Sequence, residues 1–211
     1  MPTADRRALE ALFMIDAAMG EVVRTTREPQ LGPIRLAWWR ERLEDIDACT
    51  VAPAEPRLEA VQSELVGRGI KGRDLVGLEG GWLRLFEPFP WNVGTSEAIW
   101  LRGNLLFGLG AKLLGGGNER VQAAGGLWAL VDAARHCSDI ESRALLLNQA
   151  RKFAPGLAGS RFQPRLRPLS MLAAVALRDI RHGEPFEVEG TPGRAMTMLA
   201  HRISGRLPRG S

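Results

Sequence analysis

The chain has 211 residues, of which 45% are apolar and 25% charged, as in soluble globular proteins that bury one sizeable core. No apolar run approaches the roughly 20 residues that span a bilayer, and the N-terminus lacks the apolar core and cleavage site of a signal peptide. We therefore expect a cytosolic protein. The net charge of +4 comes mainly from arginines spread along the chain, without the basic and aromatic alternation of a nucleic-acid surface. We expect no nucleic-acid partner.

Helical periodicity dominates the chain, and strand signals are scarce because tyrosine and sustained Val/Ile/Thr alternation are missing. Prolines and glycines separate the helices, and Ser96 and Asn118 are candidate N-caps. The predicted helices cover residues 4–27, 33–48, 57–68, 73–87, 97–114, 119–136, 141–151, 169–181 and 193–203. The sequence therefore predicts an all-α fold, a single-domain bundle of about eight helices over residues 1–206. We set residues 207–211 aside as a tail, because Leu-Pro-Arg-Gly-Ser resembles the remnant of an engineered protease site.

Motifs that carry chemistry are scarce in this chain. No Ser/His/Asp order, zinc spacing or dinucleotide fingerprint rises above chance. Cys49 and Cys137 lie far apart without metal-ligand spacing, so we interpret them as free, packed thiols. Gly103, Gly108 and Gly110 each cost about 1 kcal/mol relative to alanine inside a helix. They either permit close helix packing or leave room for a chain-like ligand.

Residues 28–40 are the most informative stretch, and they read Glu-Pro-Gln-Leu-Gly-Pro-Ile-Arg-Leu-Ala-Trp-Trp-Arg. Neighbouring helical positions point about 100° apart, so Trp38 and Trp39 are both buried only if the helix is covered on more than one side. The stretch resembles the squalene/phytoene synthase family, whose members carry Pro-x-Leu-Gly-x-x-Arg-Leu-x-Trp-Trp-Arg. Weaker matches follow in the family's order: the helix with Arg6-Arg7-Ala8 and Phe13, then residues 97–115 and 126–135.

The acidic motifs that make this family catalytic are degenerate in this chain. Active members condense two prenyl diphosphates, and carboxylates on two facing helices hold the Mg²⁺ that neutralises the leaving group. At the first motif, Ala18, Met19 and Val22 stand where aspartates are expected. Only Asp16 and Glu21 are acidic nearby, and their spacing does not place them on one helical face.

The second motif is only partly present. Asp132, His136 and Asp139 follow the i, i+4, i+7 spacing of one helical face, but the Arg-Asp pair that is usual in the family reads Arg135-His136. A single carboxylate cluster does not clamp two bridging diphosphates in the way the family does.

The resemblance thus implies an isoprenoid synthase-like scaffold without catalysis, similar to the mitochondrial assembly factor for respiratory complex I. It implies a protein that binds a prenyl or lipid-like molecule or a protein partner, in the cytoplasm or peripheral to the inner membrane. The alternative is an active prenyl-diphosphate transferase, and Mg²⁺ is an expected cofactor only in that case. We expect no catalytic residue and no metal ligand. The candidate residues for binding a ligand or an anion are Arg35, Arg40, Asp132, Arg135, His136 and Asp139, and the candidate cavity-lining residues are Phe13, Trp38, Trp39 and Phe107.

Each candidate also has a purely structural interpretation. The tryptophans line a prenyl cavity or pack between helices. Arg35 and Arg40 hold a diphosphate or form ion pairs with carboxylates such as Glu41 or Glu44. The group at 132–139 takes a divalent ion or is a charge cluster at a helix end. A third hypothesis is a structural module whose apolar helix faces pack on a partner.

Overall fold

The computed structural model describes residues 1–48, 54–117 and 119–209, and within these ranges it confirms the all-helical prediction. In the same ranges the only extended pairing is an isolated antiparallel bridge between Arg161 and Arg206. The chain divides into two compact units, Met1–Pro88 and Phe89–Ser211, and each has its own buried apolar core.

The first unit contains α1 (Thr3–Thr25), α2 (Leu31–Asp47), α3 (Pro56–Glu64), α4 (Gly72–Val76) and α5 (Leu78–Leu83), with 3₁₀ turns at Val66–Arg68 and Arg84–Phe86. Helix α1 packs against α3 and α5, and α2 packs against α4 and α5. Aliphatic side chains at helical spacing fill the core of the unit, among them Leu12, Ile15, Met19, Leu36, Leu43 and Leu58.

Glycines let two aromatic rings approach the backbone of α1 and α2. A Cβ atom added at Gly20 would lie 2.7 Å from the ring of Trp82, and one added at Gly32 would lie 2.1 Å from the ring of Phe86. In the Pro-Gly segment before the tryptophan pair, Gly32 therefore allows close packing of α2 against the Phe86 ring. Helix α2 begins at Leu31, earlier than predicted, because Pro33 is tolerated in its first turn.

The predicted helix at 73–87 is divided in the structure. Helices α4 and α5 are separated at Gly77, and the segment ends in the 3₁₀ turn Arg84–Phe86. Glycines at positions 77, 80 and 81 lower the helix propensity of this segment.

The second unit contains α6 (Val93–Leu113), α7 (Glu119–His136), α8 (Ile140–Leu157), α9 (Arg167–His182) and α10 (Pro192–Ser204), with a 3₁₀ turn at Pro164–Leu166. Helix α7 is central, because it packs against α6, α8 and α9, while α10 packs against α9. The core includes Ile99, Leu106, Phe107, Leu127, Leu130, Leu146 and Ala173.

Two helix boundaries differ from the prediction, and Asn118 lies outside the described residues. Ser96 is not an N-cap: it is buried inside α6, and Asn92 caps that helix by accepting from the Thr95 N–H group at 3.2 Å. Helix α8 continues to Leu157, well beyond the predicted end at 151, with Pro155 in its final turn. Pro155 removes only one intrahelical hydrogen bond there, so the helix ends shortly after it and not before it.

The segment after α10 folds back onto the loop before α9. Leu207 is buried, and its N–H group donates to the carbonyl of Ser160 at 2.8 Å. Of the two cysteines, Cys49 lies outside the described residues. Cys137 is a free, buried thiol as predicted, and burial raises its pKa.

Candidate functional site

The two candidate arginines of α2 both have partners inside the first unit. Arg35 is exposed, and its guanidinium donates to the hydroxyls of Thr25 at 3.3 Å and Thr26 at 2.7 Å. Arg40 donates to both carboxylate oxygens of Glu79, at 3.3 and 3.2 Å. The side chain of Glu79 is only 8% exposed. The guanidinium of Arg40 therefore compensates the negative charge of a buried carboxylate. The observed ion-pair partner of Arg40 is therefore Glu79, which was not among the carboxylates named from the sequence.

Helix α2 buries one of its two tryptophans. Trp39 is 7% exposed and Trp38 is 39% exposed, and their rings meet edge to face with centroids 5.0 Å apart. The guanidinium of Arg57 lies 5.9 Å from the centre of the Trp39 ring. Because neighbouring positions point about 100° apart, covering one side of α2 leaves Trp38 in contact with solvent. Phe13, the cavity-lining candidate on α1, is partly buried.

The carboxylates near the expected first acidic motif are held by neighbours. Asp16 is 4% exposed and accepts a hydrogen bond from the indole N–H of Trp82 at 2.9 Å. Glu21 pairs with the guanidinium of Arg57, with 3.0 Å between Oε2 and Nη2. Each carboxylate thus contributes to contacts between helices of the first unit.

In the second unit, the candidate residues Asp132, His136 and Asp139 do not form one cluster, because Asp139 has a different partner from the other two. The ring Nδ1 of His136 lies 2.8 Å from the backbone carbonyl of Asp132 and 3.8 Å from its carboxylate, and both side chains reach solvent. Helix α7 ends at His136, so Asp139 does not share a helical face with Asp132. Asp139 instead caps α8, accepting from the N–H and hydroxyl of Ser142 at 2.8 and 2.7 Å. These hydrogen bonds hold the pKa of Asp139 below its ordinary value.

Arg135 belongs to an ion-pair cluster that the sequence did not reveal. The carboxylate of Asp179, 2% exposed on α9, pairs with Arg135 of α7 at 3.2 Å and also with Arg194 of α10. Arg135 donates as well to the backbone carbonyl of Glu187 at 2.8 Å, and Arg178 binds the carboxylate of Glu187 through two hydrogen bonds. Arg178 thereby lowers the pKa of Glu187. Because these partners are far apart in the sequence, no spacing rule would have found them.

Phe107 lies in the packed interface between α6 and α7. It is fully buried, and its ring stacks on Trp128 with centroids 5.6 Å apart. A Cβ atom added at Gly125 would lie 2.5 Å from the Phe107 ring, so the ring fills the space that this glycine leaves. Its observed role is packing.

The second unit carries a surface groove of about 570 Å³ between the end of α8 and α9, which we call the arginine groove. Its apolar lining consists of Ala154, Pro155, Ala158, Leu177, Ile180 and Pro208. Arg151, Arg181 and Arg209 also line it. Arg151 donates to the amide oxygen of Asn148 at 2.9 Å. Among the described residues none of the three forms an ion pair with a carboxylate, so the groove combines an apolar surface with uncompensated positive charge.

Sequence reasoning missed this groove for two reasons. Arg151 and Arg181 lie on different helices, and Arg209 belongs to the tail that was set aside. A signal was nevertheless present, because residues 161–209 contain nine arginines and only four carboxylates.

A second groove of about 550 Å³ lies on the other side of α8, between that helix and the start of α7. Trp100 and Phe153 form one wall, stacked with ring centroids 3.8 Å apart. Glu119 and Arg120 both line this groove, so its charge is balanced. It therefore favours an anion less than the arginine groove does.

Three further findings concern function. Within the described ranges, no group of three or more His, Cys, Asp or Glu side chains is placed to hold a metal ion. None of the helices described is both long and apolar enough to cross a membrane. The chain matches no family model, no curated protein and no solved structure.

Proposed function

We propose that the protein is a non-catalytic binding protein on a scaffold like that of the squalene/phytoene synthases, and that its arginine groove holds an anionic amphiphile such as a prenyl phosphate. The observation that carries this proposal is the groove itself. Its lining combines three arginines with apolar residues from α8, α9 and the returning C-terminal segment.

The composition of the groove fits a ligand with a charged head and a hydrocarbon chain. Guanidinium groups of Arg151, Arg181 and Arg209 offer forked donors to phosphate oxygens. Leu177 and Ile180 offer an apolar surface to the chain. A volume of about 570 Å³ lies within the range of small-molecule sites, which is roughly 300–1,000 Å³.

The contacts at the degenerate motifs support binding without catalysis. Asp16 accepts from Trp82, Glu21 pairs with Arg57, and Asp139 caps α8. Recruiting these carboxylates to Mg²⁺ would remove them from indole, guanidinium and backbone partners that stabilise the fold.

The first test measures binding of farnesyl diphosphate by calorimetry with EDTA present, so that no Mg²⁺ takes part. The double variant Arg151→Ala/Arg181→Ala should bind at least about 100-fold more weakly, because it removes two donors and each hydrogen bond to a charged group contributes about 1.5–3 kcal/mol. Arg120→Ala is the matched control, since Arg120 lines the groove on the other side of α8. Equal affinities of the two variants would place the ligand elsewhere.

The second test addresses catalysis directly. The protein is incubated with farnesyl or geranylgeranyl diphosphate and Mg²⁺, and the extract is analysed for C30 and C40 hydrocarbons. We expect substrate to be recovered unchanged. Robust formation of either product would replace our proposal with the transferase alternative, and Asp132→Ala would then test the remaining acidic residue of the second motif.

A further inference from the structure

Helix α10 turns its polar side inward and its apolar side to solvent. His201 is buried (1% exposed), whereas Met196, Leu199 and Ile203 are 61%, 47% and 72% exposed. These three residues follow helical i, i+3, i+7 spacing and form one continuous row, which we call the α10 stripe. Surface helices normally turn such a row toward the core.

Polar contacts fix α10 in this orientation. Arg194 pairs with buried Asp179 of α9, and the ring Nε2 of His201 lies 2.8 Å from the hydroxyl of Ser170. Arg167 donates to two carbonyl oxygens in the last turn of α10, at 2.8 and 3.1 Å. Rotating the helix to bury its stripe would break all of these contacts, so exposure of the stripe is a property of the fold.

The surroundings of α10 are basic. Residues 161–209 contain nine arginines and four carboxylates, although the whole chain carries only +4. Three of those carboxylates are already paired with arginines. Arg161, Arg202 and Arg206 are exposed at the C-terminal end of α10, and in the part of the chain that the structure describes they form no ion pair. The bridge between Arg161 and Arg206 places two of these arginines side by side.

We propose that the α10 stripe and these three arginines form a docking surface for an anionic lipid bilayer. The helix lies parallel to the membrane, with the stripe in the boundary between headgroups and acyl chains. The arginines contact the lipid phosphates at the edge of the helix.

A second copy of the chain fits this surface less well than a bilayer does. In a two-fold contact the same patch occurs on both sides, so a second copy would add three more unpaired arginines, and its α10 contains no carboxylate to compensate them. A bilayer supplies an apolar layer and negative charge together, and it requires no complementary shape.

The proposal is tested by sedimenting the full chain with vesicles of phosphatidylcholine alone or mixed with phosphatidylglycerol. We expect at least tenfold stronger partitioning into the anionic vesicles. The double variant Leu199→Gln/Ile203→Gln should weaken it by about tenfold or more. Leu101→Gln is the matched control, because Leu101 is an equally exposed apolar residue (65%) on α6. Arg202→Gln and Arg206→Gln should each weaken partitioning into the anionic vesicles about fivefold and leave partitioning into the neutral vesicles unchanged.

Several results would overturn the proposal. They are failure to sediment with anionic vesicles, an equal loss in Leu101→Gln, or a dimer in ultracentrifugation that Ile203→Gln dissociates. All substituted positions are solvent-exposed, and circular dichroism verifies that the variants fold. The substituted positions lie outside the arginine groove. Weaker sedimentation of Leu199→Gln/Ile203→Gln together with unchanged binding of farnesyl diphosphate therefore separates this surface from the proposed function.

Discussion

The contact between α6 and α7 depends on glycine at position 103. A Cβ atom added to Gly103 would lie 2.2 Å from the carbonyl oxygen of Gly125 and 2.6 Å from the Cβ atom of Ala129. Carbon atoms in contact normally stay about 3.5 Å or more from their neighbours. The opposing atoms belong to the backbone and to an alanine, so no flexible side chain can move away. Substitution with alanine must therefore separate the two helices by about 1 Å.

We predict that Gly103→Ala destabilises the protein although alanine is the better helix former. The gain in helix propensity is about 1 kcal/mol, and the cost of overpacking a core is typically about 1–3 kcal/mol and higher where the backbone must move. We expect a net loss of about 2 kcal/mol, which lowers the Tm of a chain of this length by roughly 4–8 °C. Thermal unfolding followed by circular dichroism at 222 nm measures this shift.

Gly108→Ala on the same helix is the control for this prediction. Its added Cβ atom would meet only the end of the Gln122 side chain, at 3.1 Å, and that side chain can turn aside. We expect the free energy of unfolding to be unchanged or higher by up to about 1 kcal/mol, which is the gain in helix propensity. The Tm should then equal that of the parent protein or lie slightly above it. A Gly103→Ala protein as stable as Gly108→Ala would show that position 103 has free space, as the chain-like ligand interpretation requires.

Substitutions also test three other buried groups, which are Trp39, Asp179 and His201. Trp39→Ala should cost about 3–5 kcal/mol in urea unfolding, and Trp38→Ala far less because that ring is 39% exposed. Asp179→Ala should cost about 3 kcal/mol or more, since it leaves two nearly buried arginines unpaired; a normal urea midpoint would refute the importance of this cluster. Burial lowers the pKa of His201, so the unfolded chain binds a proton that the folded protein does not, and stability should fall as the pH drops below about 6.5. His201→Gln should show a shallower loss of stability between pH 7 and 5.5, and an unchanged slope would contradict this account.

Much of the helical fold was predictable because periodicity and helix breakers act locally. Residues 119–136 form α7 as predicted, and the positions of α1, α2, α9 and α10 differ from prediction by only a few residues. The predicted helix boundaries are wrong where two local rules compete. Pro155 and Gly156 resemble a helix stop, but a proline near the end of α8 costs a single hydrogen bond.

Much less of the candidate site was predictable, because its contacts join residues that are distant in sequence. The sequence leaves open whether Arg40 holds a diphosphate or pairs with a nearby carboxylate such as Glu41 or Glu44, and in the structure Arg40 pairs with Glu79 of α5. Arg135 is predicted as a candidate for binding a ligand or anion, and in the structure its ion-pair partner Asp179 lies 44 positions away. Which carboxylate a given arginine meets depends on how the helices pack, and sequence spacing along one helix carries no information about that.

The polar attachment of α10 has a consequence for its position. An apolar interface tolerates small sliding and rotation, because the hydrophobic effect has little directional preference. Hydrogen bonds and ion pairs lose strength steeply when their geometry is distorted. Arg167, His201 and Arg194 therefore hold α10 in a single register on its neighbours, and the methionine, leucine and isoleucine on its outer side occupy fixed positions on the surface.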